Sequence, residues 1–277
     1  MFERIYPAFS ILDFVKGITF VLRAIEESIK QGCGLSVSQY RILLYLYEND
    51  GSRMADAAAV LDLKANTLSL AVAGLERLGL VRRTTSTQDS RAFLLALTDA
   101  GQIALKDTGH LLMTRVHALW GPLTHEQRQL VSQMDEPDQS RLPSSEYVLN
   151  TVNCGRTITP CLKQQGITVT QYLILAELVR ADRALRPVNL EALLDTRSNT
   201  IASALASLAT DGLVRLKRQT RGRLMTEVSA TAKGTGLMQQ ASQELERALW
   251  ERLTERFEET TIRGLLEANA NMVAAFT

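Results

Sequence analysis

The sequence predicts a mainly α-helical protein with small β-hairpins, an α+β fold in which one domain occurs twice. Its 277 residues correspond to about two domains, since a domain has roughly 100–200 residues. Short motifs of the first half recur in the second half in the same order, and in each half helical patterns precede two short strand patterns. With 45% hydrophobic and 22% charged residues, the composition is that of a globular chain and excludes long disorder.

The repeat shows in motifs that recur at an almost constant distance. The two tryptophans of the chain, Trp120 and Trp250, are equivalent at an offset of 130. The other motifs recur at offsets of 132 or 133, and they are Ser38–Leu43 with Thr170–Leu175, Leu61-Asp62 with Leu194-Asp195, and Gly79–Arg82 with Gly212–Arg215. A polar stretch with two prolines between the halves is typical of a linker. We therefore predict a first repeat over residues 1–136, a linker over 137–143 and a second repeat over 144–277.

Each half begins with a helical pattern. In the first half, six apolar residues are spaced four and three apart, from Ile11 to Ile29, and such a stripe needs a partner helix along its length. The second half keeps the rhythm more weakly from Val148 to Leu162, where Pro160 is expected to kink the helix. The stripes belong either to the core of each half or to a surface on which the two halves pair.

A helix-turn-helix with a hairpin follows. We predict helices over Ser38–Tyr47, Met54–Leu61 and Ala65–Leu78, the last one ended by Gly79. Helices at this spacing indicate a helix-turn-helix. Strand patterns at Leu80–Thr84 and Phe93–Leu97 then predict a hairpin, which is the wing of a winged helix.

The second half repeats these steps. The corresponding segments are a short helix over Asn189–Leu194, a helix over Ser198–Thr210 ending at Gly212, and strands at Leu213–Lys217 and Leu224–Ser229. A long closing helix completes each half, over Gly101–Leu119 in the first and Gly234–Phe257 in the second. The sequence thus predicts two tandem winged helix-turn-helix domains, with long helices forming a dimer-like interface inside one chain.

An ordered series of motifs resembles the MarR family of bacterial transcriptional regulators. These motifs are Leu61–Ser69, Leu75–Arg83, Asp89–Ala92 and Leu95–Gly101. The resemblance covers residues of about 10–133 and is fainter in the second half, where Ser198-Asn199-Thr200 and Gly212-Leu213-Val214 carry it. It implies winged helices that bind one palindromic operator as a dimer with intertwined terminal helices, so this chain resembles two protomers fused into a pseudo-dimer. It also implies a small aromatic or phenolic effector. Candidates to line its pocket are Tyr6, Phe9, Phe14, Tyr40 and Tyr147, although core packing explains aromatic residues there equally well.

Double-stranded DNA is therefore the expected partner, and the start of each recognition helix is the expected contact. Side chains there can reach base edges and phosphates in the major groove. The candidates are Lys64, Asn66, Thr67 and Ser69 in the first repeat and Arg197, Ser198, Asn199, Thr200 and Ser203 in the second. The alternative is that Asn66 or Ser198 only caps its helix.

The wings supply local positive charge. The first wing has Arg82, Arg83 and Arg91 against Asp89, and the second has Arg215, Lys217, Arg218, Arg221 and Arg223 without an acidic residue. Basic side chains on a hairpin beside a recognition helix favour contact with phosphates and the minor groove. By resemblance, Arg91 is the wing-tip arginine and Asp89 holds it in place. Its equivalent in the second repeat is either Arg221 or Arg223.

Two departures from the family pattern bear on DNA reading. Leu70 stands where relatives commonly have a basic residue after Ser69, and the second repeat has Ser203 or Ala204 there. The halves also differ in charge: residues 1–136 hold 14 basic and 15 acidic residues, and the rest hold 17 and 15. Because the recognition helices and wings of the two repeats differ, we predict an imperfectly symmetric operator.

The composition excludes several other classes of protein. A formal net charge of +1 excludes a polycation, so only a local patch can bind nucleic acid. The longest apolar run, interrupted by Arg23, is too short for a membrane span, and the first ten residues do not resemble a signal peptide. Three scattered cysteines do not form a disulfide framework. We expect a cytoplasmic protein that is monomeric or assembles further.

No motif indicates an enzyme, a cofactor or a metal. His110 and His117 have no cysteine or carboxylate at ligand spacing. Cys154 and Cys161 are considered for redox sensing, but few basic neighbours favour their thiolates. We thus predict a ligand-responsive transcriptional regulator that acts as a repressor and is not an enzyme. The alternative, favoured by Leu70 and the neutral charge, is a protein-interaction scaffold that keeps the fold without binding DNA.

Overall fold

In the computed structural model, the described residues are 2–85, 93–132, 142, 145–219 and 225–276. The first half contains α1 (Phe2–Ile5), α2 (Ile11–Gly32), α3 (Val37–Glu48), β1 (Ser52–Arg53), α4 (Met54–Val60), α5 (Ala65–Arg77), β2 (Val81–Thr85), β3 (Phe93–Leu97), α6 (Asp99–Trp120) and α7 (His125–Ser132). The second half contains α8 (Ser145–Gln164), α9 (Val169–Ala181), α10 (Pro187–Leu194), α11 (Ser198–Thr210), β4 (Val214–Gln219), β5 (Met225–Ala230), α12 (Ala232–Thr254) and α13 (Glu259–Ala274).

The chain forms two compact units, and each contains the start of the other repeat. One unit consists of Met1–Thr19 and Asn153–Thr277, and the other of Phe20–Val152. The first residues of the repeat predicted over 1–136 therefore belong to the compact unit that holds most of the second repeat. The first residues of the repeat predicted over 144–277 belong to the unit that holds most of the first repeat. We call these units the C-terminal unit and the central unit.

The central unit contains the first winged helix. Helices α3, α4 and α5 pack with a sheet in the order β1-β3-β2, in which Val81 pairs with Leu97 and Thr85 with Phe93. The strand β1 was not predicted from the sequence, because two residues carry no alternation. It pairs Ser52 with Leu95 and so closes the outer edge of the hairpin.

The C-terminal unit repeats this architecture. Helices α9, α10 and α11 precede the hairpin β4–β5, in which Val214 pairs with Ala230 and Gln219 with Met225. A single bridge between Leu185 and Val228 stands where the central unit has β1. The helix α11 has the predicted bounds, and Gly212 ends it with φ of +71°, a left-handed conformation that glycine adopts without strain.

Each closing helix begins with the same close contact. Thr98 caps α6 by accepting a hydrogen bond from the Gly101 amide, and a Cβ on Gly101 would lie 2.1 Å from the Leu80 carbonyl oxygen. Thr231 and Gly234 repeat this arrangement on α12, with the Leu213 carbonyl at 2.1 Å. The recurring threonine and glycine thus have a structural cause: glycine lets the helix approach the strand backbone.

The closing segments are more divided than the sequence predicts. The helix α6 ends at Trp120 and α7 follows it, while α12 ends at Thr254 and a separate α13 follows. The predicted single helix over Gly234–Phe257 is therefore too long, and both α1 and α13 were missed. The helix α8 continues through Pro160. Among the described residues, no single helix is long and apolar enough to span a membrane, and α4 with α5 passes that test only as a pair bent by 113°.

Candidate nucleic-acid interface

The helix α5 has one buried and one exposed face. Leu68, Val72 and Leu75 are buried on the inner face. The predicted contact residues stand on the exposed side or at the start of the helix, and all of them are exposed: Lys64, Asn66, Thr67 and Ser69. This division follows from helical periodicity, since apolar residues three or four apart share a face. The first turn of α5 is thus available to a ligand in solution.

Capping does not account for these polar residues. The N-cap of α5 is Lys64, which makes no side-chain cap hydrogen bond, so Asn66 is inside the helix. The N-cap of α11 is Arg197, again without a side-chain cap bond. The alternative interpretation of Asn66 and Ser198 as caps is therefore wrong. The first amides of both helices lack a capping side chain and carry the positive end of the helix dipole.

The helix α11 repeats the arrangement in the C-terminal unit. Ile201, Leu205 and Leu208 are buried, and the predicted contact residues are exposed: Arg197, Ser198, Asn199, Thr200 and Ser203. The Ser198 hydroxyl donates to Glu191 Oε2 over 2.6 Å. This carboxylate on α10 holds the serine and adds negative charge beside the first turn of α11.

In the first wing, one arginine is tied to the recognition helix. Arg82 and Arg83 lie on β2 and are exposed. The Arg83 guanidinium forms an ion pair with Glu76 on α5 at 3.1 Å, which joins the wing to the helix and offsets one positive charge. Arg91 and Asp89, predicted at the wing tip, lie outside the described residues.

In the second wing, the described strand carries Arg215 and Lys217, both exposed. Lys217 pairs in register with Glu227 on β5, so an acidic residue that the sequence count did not include stands beside the basic strand. Arg218 belongs to β4, but its side chain lies outside the described part of the structure, as do Arg221 and Arg223.

Cys154 and Cys161 do not have the environment of reactive thiols. Burial raises the pKa of Cys154 to about 11, although Arg252 and Arg256 lower it in part. Burial also raises the pKa of Cys161, and Glu244 adds to the effect. Both residues are therefore thiols near neutral pH. In the described ranges, no group of three His, Cys, Asp or Glu side chains is arranged to hold a metal ion.

The five aromatic candidates for an effector pocket divide between the two units. Tyr6, Phe9 and Phe14 belong to the core of the C-terminal unit, where Phe9 stacks on Phe2 at 4.4 Å between ring centroids. Tyr40 and Tyr147 are buried in the central unit. Within each unit, core packing explains these rings.

The fold and the exposed helix define a winged helix-turn-helix protein. Residues 34–92 match the sequence model of the MarR family, a range that begins before α3, includes α5 and β2, and ends just before β3. The resemblance to this family is thereby confirmed for residues 34–92. A comparison with curated proteins finds no match.

Solved structures of similar proteins cover less than half of this chain. YusO from Bacillus subtilis is 23% identical, with 41% of this chain and 79% of YusO covered and a TM-score of 0.36. A MepR mutant of S. aureus bound to an oligodeoxyribonucleotide is 23% identical, covering 39% and 80% with a TM-score of 0.33. PcaV from Streptomyces coelicolor, solved with its natural ligand, is 26% identical, covering 33% and 65% with a TM-score of 0.31.

Three acidic residues of the interface were missed at the sequence level. Glu76, Glu191 and Glu227 each lie beside a predicted contact residue. The spacing of Glu191 and Ser198, seven residues apart across a turn, carries no periodic signal. The position of Glu227 opposite the basic strand was predictable in principle, because a hairpin register places residues of the two strands opposite each other.

Proposed function

We propose that this chain is a DNA-binding transcriptional regulator in which two winged helices of one polypeptide bind one operator. The observation that carries the proposal is the exposed, uncapped first turn of α5, a helix that an ion pair between Glu76 and Arg83 joins to the basic strand β2. Backbone amides at such a turn bind phosphate, and Asn66 has the donor and acceptor pair that reads adenine. The match of residues 34–92 to the MarR family supports the same assignment.

The second winged helix extends the proposal to a single-chain pseudo-dimer. Its helix α11 exposes Asn199 and Thr200, and its strand β4 exposes Arg215 and Lys217. The two readers are not identical, since Lys64 is replaced by Arg197 and Leu70 by Ser203 at an offset of 133. We therefore propose an operator with two unequal half-sites, bound by a repressor in the cytoplasm that responds to a small aromatic or phenolic ligand.

A titration of fluorescent duplex DNA tests the proposal. The probes are the DNA upstream of the chain's own gene and a scrambled duplex of the same length, each measured at two salt concentrations. We expect tight binding to the first probe that weakens steeply with salt, because each phosphate contact releases counterions. Arg215→Ala and Arg82→Ala should each weaken binding and reduce the salt slope by about one unit.

The competing function is a protein-interaction scaffold. Leu70, with 75% of its surface exposed, favours it, because an apolar side chain on a helix surface can also meet another protein. Equal, weak binding to both probes with no effect of Arg215→Ala would contradict DNA recognition and leave this alternative.

A further inference from the structure

The apolar face of α2 contains a buried lysine. Lys16 Nζ donates to Glu177 Oε1 over 2.9 Å, and the two side chains are 0% and 3% exposed. The residues are 161 positions apart and both belong to the C-terminal unit. Burying two charges costs more than burying apolar side chains of similar size, so such a pair calls for a role besides stability.

A second ion pair extends the first one toward the surface. Arg180 donates from Nη2 to Glu177 Oε1 and from Nη1 to Asp13 Oδ1, both over 2.7 Å. Thus α2 contributes Asp13 and Lys16, and α9 contributes Glu177 and Arg180. On each helix the two residues are three apart and share a face. Opposite charges therefore meet both in the buried pair and in the more exposed pair.

The central unit has different residues at the equivalent positions. The offset of 132 that aligns Tyr40 with Tyr172 places Tyr45 at the position of Glu177 and Glu48 at that of Arg180. Lys16 corresponds to Val148 or Leu149, at an offset of 132 or 133. Tyr45, Val148 and Leu149 are buried, so an apolar surface replaces the ion pair.

These differences determine which surface the start of the chain can cover. If residues 1–19 packed on a first repeat of another copy, Lys16 would face Tyr45 instead of a carboxylate, and Asp13 would face Glu48. The buried ammonium would lose its partner, and two like charges would meet. On a second repeat, both charges of α2 are matched.

We propose that Asp13, Lys16, Glu177 and Arg180 form a partner-selection element. It makes residues 1–19 pack on a second repeat and excludes the pairing of two first repeats from two copies of the chain. Single buried polar groups specify partner and register in this way in helical assemblies. The inference does not depend on DNA binding.

A double variant that replaces the ion pair tests the proposal. Lys16→Leu with Glu177→Tyr gives the C-terminal unit the residue types of Leu149 and Tyr45, which are buried in the central unit. In this variant and in the parent chain, the photo-crosslinking residue p-benzoylphenylalanine replaces Ile18, which packs against the core of the C-terminal unit. The chains are refolded at micromolar concentration and irradiated, and the adducts are mapped by mass spectrometry.

We expect adducts of the parent chain to map only to the second repeat. In the double variant, adducts should also map to α3, and light scattering should detect dimers whose fraction rises with concentration. Arg247→Gln with Glu244→Gln, which removes an exposed ion pair on α12, is the matched control and should behave like the parent.

Arg180→Glu is the second variant, because it removes the guanidinium that bridges Glu177 and Asp13 while Lys16 and Glu177 themselves are kept. It gives position 180 the charge of Glu48, so we expect a smaller but measurable fraction of adducts on α3. Adducts confined to the second repeat in both variants, with monodisperse light scattering, would overturn the proposal.

Discussion

The indole of Trp250 packs edge-on against the ring of Phe2, with ring centroids 5.2 Å apart. Its repeat counterpart, Trp120, packs in the same way against Tyr147 at 5.5 Å. In each case the partner ring comes from the start of the other repeat and belongs to the same compact unit. This reciprocity supports the proposed pseudo-dimer, because each repeat completes the core of the other.

Removing the Phe2 ring should affect one tryptophan and not the other. Phe2 is fully buried, so Phe2→Ala should lower the free energy of unfolding by about 3 kcal/mol. In a Trp120→Phe background, the emission of Trp250 should shift to longer wavelength with this change. In a Trp250→Phe background, the emission of Trp120 should stay as it is, and an equal shift of both would contradict the reciprocal arrangement.

The close approach of each closing helix to its wing predicts a sharp difference between neighbouring glycines. Gly234→Ala would place a Cβ 2.1 Å from the Leu213 carbonyl, so it should cost about 2–4 kcal/mol of stability. Gly236, two residues further on in α12, has open space around its Cβ position. Gly236→Ala should therefore stabilise the helix by about 0.5–1 kcal/mol.

Urea unfolding of the two variants checks this prediction, and Gly101→Ala should reproduce the loss in the central unit, where the Leu80 carbonyl stands in the same place. Equal stability of Gly234→Ala and Gly236→Ala would show that the strand backbone yields to the added methyl group.

Two equivalent tyrosines should respond differently to loss of their hydroxyl groups. Tyr172 and Ser242 share a hydrogen bond of 3.0 Å, and burial raises the pKa of Tyr172 to about 12. The Tyr40 hydroxyl has no hydrogen-bond partner among the described residues, where Gly109 takes the place of Ser242. Tyr172→Phe should cost about 1 kcal/mol, whereas Tyr40→Phe should be neutral or stabilising.

Thermal unfolding of both variants measures the difference. A larger loss from Tyr40→Phe than from Tyr172→Phe would mean that the Tyr40 hydroxyl has an important partner.

The carboxylate of Glu191 should oppose DNA binding. It accepts a hydrogen bond from Ser198 and lies beside the first turn of the proposed reading helix α11. Glu191→Gln should strengthen DNA binding by about two- to five-fold at low salt, because a negative charge near the phosphates is removed. Anisotropy titrations measure the affinity, and Glu267→Gln on α13 is the control for a general change of charge. Weaker binding by Glu191→Gln would instead assign the carboxylate a positioning role.

Leu70 should distinguish thymine from uracil. It is 75% exposed on α5, and an apolar side chain in the major groove contacts the thymine methyl group. Replacing the contacted thymine of a selected operator by deoxyuridine should weaken binding by about three- to four-fold, the equivalent of one buried methylene. Leu70→Ser, which introduces the residue type of Ser203, should abolish this difference. A scan of single thymine replacements in which none weakens binding would exclude the contact.

Local sequence patterns were sufficient for most elements of the two winged helices. The bounds of α11 and the glycine ends of α5 and α11 follow from apolar periodicity and from glycine at positive φ. The exposed first turns of both helices follow from the same periodicity. The strand β1 and the division between α12 and α13 were not predictable, because a two-residue strand has no pattern and a helix break depends on packing.

The amino-acid sequence alone predicts that one domain occurs twice and that each copy is a winged helix with basic residues on its wing. The folded chain reveals three further features: residues 1–19 pack with the second repeat, Lys16 meets Glu177, and Glu76 and Glu191 stand beside the candidate contacts. The physical reason is separation along the chain. Helical and strand periodicity act over a few residues, whereas the partner of a buried charge 161 positions away is determined by how the elements pack.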